Sequence, residues 1–115
     1  MDDCLFCKIA AGDIPASIVY QDDVMIAFED INPKAPVHTL LIPRQHYHNL
    51  SDEIPAELLG ELFAKVHTVA ALKGIEESVY RIIVNSGVDA RQLVQHLHIH
   101  VLGGMTLPIS AGTVD

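Results

Sequence analysis

Three imidazoles stand at alternate positions near the C-terminus, in the run His96-Leu97-His98-Ile99-His100-Val101-Leu102. Imidazole alternating with β-compatible aliphatic residues is the period-two pattern of a strand. Every second side chain of a strand points the same way, with a repeat of roughly 6.5–7 Å. One face therefore carries His96, His98 and His100, and the other carries Leu97, Ile99 and Val101. The aliphatic face reads as core. Three adjacent imidazoles add little to folding and repel one another when protonated, so their face points to chemistry or to metal. Imidazole is itself a nucleophile capable of a covalent intermediate, and at cytosolic pH its neutral form is available. A neighbouring imidazole can donate hydrogen bonds to phosphoryl oxygens or to a leaving group.

The second reactive group is Cys4-Leu5-Phe6-Cys7. In a reducing compartment this spacing reads as half a zinc site or as a redox pair. A redox pair is expected after a strand in a βαβ unit, whereas here the pair opens the chain, and spare histidines are present to complete a metal set.

These residues must be positioned by a single domain. The chain has 115 residues, half of them hydrophobic, with 7 basic against 15 acidic residues for a net charge of −8. Such a balance disfavours a DNA or RNA polymer as partner, yet leaves room for a small anion held by local donors. Met1-Asp2-Asp3 has neither a basic nor an apolar leader segment, and no apolar run is long enough for a bilayer, so the expected compartment is the cytoplasm. P-loop, Rossmann, serine-nucleophile and zinc-protease motifs are absent.

The patterning predicts a short helix over Cys4–Ala11, stopped by Gly12. Ser17–Tyr20 and Val24–Glu29 read as a hairpin, Val37–Ile42 as a third strand starting beside His38, and Asp30–Pro36 as a loop. Pro55 opens a helix reaching about Lys73, with the core stripe Leu58, Leu59, Leu62, Phe63, Val66, Val69 and Ala70. Tyr80–Asn85 and His96–Leu102 complete five strands. Short connections favour an antiparallel sheet with helices against it, an α+β fold.

The run from His96 to Leu102 resembles the histidine-triad (HIT) pattern, His-φ-His-φ-His-φ-φ with φ hydrophobic. Cys4-Leu5-Phe6-Cys7-Lys8-Ile9, Gly12-Asp13-Ile14-Pro15, Ala27-Phe28-Glu29-Asp30-Ile31-Asn32-Pro33, Ala35-Pro36-Val37-His38 and Leu41-Ile42-Pro43 are similar to the Hint branch of that family, in order and at the right spacing. The resemblance runs to Gly104. It implies a HIT domain over residues 1–104 with a tail at 105–115, a five-stranded antiparallel sheet with one long and one short helix, and a homodimer that joins two sheets.

What the resemblance implies for function is the binding of purine nucleoside monophosphates and hydrolysis of P–N bonds in nucleoside phosphoramidates. His98 would be the nucleophile, His100 would contact phosphate oxygens and the departing amine, and His38 would orient the His98 ring. Phe6, Ile9, Phe28 and Ile31 would wall the base pocket, Asp30 would accept the ribose hydroxyls, and Asn85 and Gln92 would reach the phosphate. By the same resemblance Cys4, Cys7, His46 and His96 would hold a structural zinc, with His48 as a near competitor for the third place.

The chain departs from the branch at three points. Arg91 stands where glycine is common, bringing either a cation near the phosphate or bulk that blocks a close approach. Leu93 stands where serine is frequent, and the tail lacks the usual tryptophan and proline ending. Two other functions compete: a nucleotide-binding interaction module with weak or no turnover, and a strand-histidine metalloenzyme, which would need a carboxylate near the triad that the sequence does not place there.

Overall fold

The computed structural model describes residues 3–109. The chain opens with α1 (Leu5–Ala10), whose N-cap is Cys4; its Sγ accepts the Cys7 N–H at 3.2 Å. Next come the hairpin strands β1 (Ile18–Gln21) and β2 (Met25–Glu29), then β3 (Val37–Pro43). Asp22 closes the hairpin by accepting from Val24 N–H, Met25 N–H and the Tyr20 hydroxyl. Arg44 ties α1 to this hairpin. Its guanidinium donates to the Ala10 and Asp22 carbonyls, both at 2.7 Å, placing a cation on the negative end of α1.

Pro55 stands just before α2 (Ala56–Leu72), and Gly74 takes the left-handed conformation beyond its end. The edge strand β4 (Arg81–Ile83) and β5 (Ile99–Gly103) complete an antiparallel sheet ordered β1-β2-β3-β5-β4. This is the expected five-stranded sheet with one long and one short helix.

Each strand sends alternate side chains to opposite sides. Met25, Ala27, Leu41, Ile99 and Val101 join Leu62, Val66, Val69 and Ala70 in the core under α2. Ile26, Phe28, Leu40 and Ile42 pack with Phe6 and Ile9 under α1. His38, His98 and His100 belong to the α1 side, because Leu40 pairs with His100 and His38 with Leu102.

Three expectations need correction. The last strand starts at Ile99, not His96, because the backbone before it is satisfied elsewhere: Leu97 N–H donates to the Tyr47 carbonyl at 2.7 Å. The strand expected over Tyr80–Asn85 spans only Arg81–Ile83. Phe63 stands on the rim of the helix stripe and is 38% exposed, since α2 turns its Leu62–Val66–Val69 side to the sheet. Of the expected tail, Pro108 accepts from the Arg81 guanidinium at 2.8 Å, and residues 110–115 lie outside the described residues. Among the described residues no helix is long and apolar enough to cross a membrane.

Candidate active site and metal centre

The histidine face is not solvated. His96, His98 and His100 are 0%, 2% and 0% exposed, and His38 is buried beside them. Buried imidazoles need partners, and those partners assign the protons. His38 Nδ1 accepts the Lys34 backbone N–H at 3.0 Å, so a neutral His38 carries its proton on Nε2. That nitrogen lies 2.9 Å from His100 Nδ1, which must therefore accept, leaving the His100 proton on Nε2. His98 Nδ1 lies 2.6 Å from the His96 carbonyl oxygen. A carbonyl only accepts, so His98 Nδ1 donates, and the lone pair of the neutral ring stands on Nε2. His38 Nε2 thus faces His100, and the His96 carbonyl holds His98 Nδ1.

Asp30 Oδ2 lies 3.3 Å from His38 Nε2, while its Oδ1 accepts the Asn32 N–H. A carboxylate does stand beside the triad, contrary to expectation. Ligand atoms of Asp30, His38 and His100 lie within 4.8 Å of one another. The trio nevertheless suits a metal poorly. To ligate through Nε2 while Nδ1 accepts from Lys34, His38 would have to become an imidazolate. The trio reads instead as two acceptors, His100 Nδ1 at 2.9 Å and Asp30 Oδ2 at 3.3 Å, around the one Nε2–H of His38.

A cavity of about 240 Å³ opens on this face. Phe6, Ile9, Phe28, Asp30 and Ile31 line it together with His98 and His100. Phe6 meets Phe28 edge to face, with ring centres 5.4 Å apart, and meets His98 likewise at 5.1 Å. Ile31 is 89% exposed, so it forms a rim and not a packed wall. Among the described residues neither Lys nor Arg lines the cavity, which leaves imidazole N–H groups among its anion donors.

Asn85 and Gln92 lie outside that lining. Gln92 was expected at the phosphate, but both its amide hydrogens go to backbone carbonyls, to His48 at 2.6 Å and Val94 at 2.9 Å. Its oxygen accepts the Gly87 N–H, so Gln92 holds the loop from inside. The groups that sequence reasoning missed are backbone ones: Lys34 N–H and the carbonyls of Pro43 and His96. Every residue has them, so no side-chain pattern announces them.

On the other side of Phe6, Cys4, Cys7, His46 and His96 converge, with ligand atoms within 4.8 Å of one another. Cys4 Sγ is 3.3 Å from His96 Nδ1, and Cys7 Sγ is 3.3 Å from His46 Nδ1 and 3.5 Å from His96 Nδ1. A tetrahedral zinc with ordinary Zn–S and Zn–N bonds needs edges of roughly 3.3–3.8 Å. The cysteines are not joined by a disulfide. His96 Nε2 donates to the Pro43 carbonyl at 2.8 Å, which leaves Nδ1 as the ligand nitrogen, an arrangement common behind metal-bound histidines. Burial, followed by the hydrogen bond and charge of Cys4, pushes the Cys7 thiol up to about 11. Burial lowers His96 to about 4 and also lowers His46, which His48 pushes down further. Both imidazoles are therefore neutral and ready to ligate at physiological pH. The donor set fits zinc. His48 instead turns to Asp52, 3.2 Å away.

Histidines from two neighbouring strands of an antiparallel sheet thus stand buried beneath an apolar cavity, and that combination defines a class of small domain. The chain belongs to the HIT family: the family model for the HIT domain matches residues 11–107. Protein HitA of Neisseria gonorrhoeae is 46% identical over 105 residues, covering 90% of this chain and 97% of that protein. A HIT family hydrolase from Legionella pneumophila superposes with a TM-score of 0.89 at 39% identity, over 95% of this chain and 99% of that one. A histidine triad nucleotide-binding protein from Candida albicans superposes at 0.80 with 31% identity, over 86% of this chain and 73% of that one.

Proposed function

We propose that this protein is a nucleotide-binding hydrolase of the Hint branch, cleaving the P–N bond of purine nucleoside phosphoramidates through a nucleotidyl-His98 intermediate. The observation that carries this reading is the assignment of protons across the buried histidines. His98 offers a lone pair at Nε2 while its Nδ1–H is held by the His96 carbonyl, and His100 offers an N–H at Nε2. In the first step His98 Nε2 bonds to phosphorus as the P–N bond breaks and the leaving nitrogen takes the Nε2 proton of His100. In the second, water bonds to phosphorus and returns a proton to His100 Nε2 as the Nε2–P bond of His98 breaks and nucleoside monophosphate leaves. His100 donates to the phosphoryl oxygens and the departing nitrogen, supplying in a buried site the preorganised donor that an acidic protein's surface does not. The His98 imidazolium formed on attack is stabilised by its short bond to the His96 carbonyl.

Phe6, Ile9 and Phe28 suit the faces of a purine, Ile31 closes the rim, and Asp30 has a lone pair for a ribose hydroxyl. A zinc held by Cys4, Cys7, His46 and His96 would supply a closed cross-link between α1 and the sheet and would touch none of the reacting atoms. The Legionella hydrolase and the nucleotide-binding Candida protein are in keeping with both halves of the reading.

The test is turnover of an adenosine phosphoramidate by the purified protein against His98→Ala. Turnover should vanish in the variant while adenosine monophosphate still binds, because the base and ribose contacts lie elsewhere. Near-native turnover in His98→Ala would sink the assignment. Binding without turnover in the parent protein would favour an interaction module.

A further inference from the structure

The metal cluster and the reaction centre share one residue, and it faces both with different atoms. The His96 side chain belongs to the cluster, its Nδ1 lying 3.3 Å from Cys4 Sγ. Its backbone carbonyl accepts from His98 Nδ1 at 2.6 Å. We propose that His96 is a positioning residue for the reaction, and that the cluster acts through it and through Phe6 on the orientation of His98 and on nucleotide affinity. The proposal rests on the reading of His98 as the nucleophile.

Two routes lead from the cluster to the site. The first is the His96 peptide unit. Neither His96 nor Leu97 lies in the ladder of β5, so the carbonyl between them is oriented by side-chain and loop anchors. Those anchors are the ring's bond to Pro43, the Leu97 N–H bond to Tyr47, and the cluster. Removing the last leaves Nδ1 with only sulfur contacts at 3.3 and 3.5 Å, and sulfur is a weak hydrogen-bonding partner. The second route is α1. A helix of six residues has no stability of its own, so the contacts of Cys4 and Cys7 do much to hold it in place. Phe6 lies between those cysteines and packs edge to face on His96 at 6.0 Å and on His98 at 5.1 Å, while also lining the cavity. Whatever loosens the two sulfurs loosens the ring that confines His98.

A cluster serving only as a staple would affect melting temperature alone. Coupling adds a change at His98 itself, and this separates the two. The experiment uses the full chain loaded with zinc, stripped by a chelator and reloaded, with Cys7→Ser alongside. Nitrogen NMR of the imidazoles reads the His98 tautomer, calorimetry reads adenosine monophosphate affinity, and a phosphoramidate assay reads kcat.

Stripping should turn a single Nδ1–H tautomer of His98 into a mixture. It should also weaken the nucleotide severalfold and lower kcat by about tenfold to a hundredfold, with reloading restoring all three. If the stripped protein unfolds, cadmium substitution tests the same link in a folded chain. Its longer bonds should shift the His98 ring resonances and the nucleotide affinity. An unchanged His98 tautomer and affinity in the stripped folded protein, unchanged resonances with cadmium, or failure to take up zinc overturns the proposal. Absence of phosphoramidate turnover in the loaded protein counts against the hydrolase reading instead, and the tautomer and affinity still decide the coupling.

Discussion

Zinc ligation requires sulfur as thiolate, and burial beside Cys4 holds Cys7 as a thiol with a pKa of about 11. His46 and His96 are pushed the other way, so neither must lose a proton at neutral pH. Zinc affinity should therefore rise by at least about tenfold per pH unit through the neutral range, from Cys7 alone. Competition with a chromophoric chelator measures this, and a flat profile would contradict the ligand set. His96 also makes the metal-free protein acid-sensitive. In the unfolded chain it takes a proton below its ordinary 6.5, but in the fold only near 4. Between those values the unfolded state binds more protons, so stability falls as pH falls, by on the order of 3 kcal/mol from this residue. Below about 4 its contribution levels off. Denaturant titrations of stripped protein across that window should show the loss, and it should shrink in His96→Gln.

Among the connecting elements, the loop between β4 and β5 carries a conformational cost that its sequence helps to explain. Arg91 has φ +62°, in the left-handed region, where glycine fits without strain. An L-residue there costs roughly 1–2 kcal/mol, and glycine recovers that less about 0.5–1 kcal/mol of added freedom in the unfolded chain. Arg91→Gly should thus raise stability by up to about 1 kcal/mol in thermal or denaturant unfolding. Among side chains Gln92 holds the loop, while that of Arg91 is exposed, so adenosine monophosphate affinity separates the two readings of Arg91. Weaker binding in Arg91→Gly marks a cation near the phosphate, and tighter binding marks bulk in the way.

At the scale of the whole molecule, the sheet ends on β4, an edge only three residues long. Val79, Ile82, Leu72 and Phe63 are exposed apolar residues on or near β4 and α2. An unpaired edge together with exposed apolar side chains favours a twofold partner. Sedimentation should give a dimer mass, and Ile82→Lys should shift it toward monomer. A monomer mass at all concentrations would remove the expectation.

The sequence by itself determined the features that depend on near neighbours along the chain. Alternation set the histidines against Leu97, Ile99 and Val101, helical spacing marked Leu62, Val66 and Val69 as core, and Cys4-x-x-Cys7 brought two sulfurs to one turn. Tertiary structure alone decided which atom of each group does what. The proton of His100 is placed by the Lys34 N–H acting through His38, which β3 brings beside β5. The approach of Asp30 to His38, the inward turn of Gln92 and the start of β5 at Ile99 were likewise settled by distant partners. The reason is physical: side-chain periodicity follows from local geometry, whereas a hydrogen bond between remote segments exists only after strand register has brought Leu40 opposite His100.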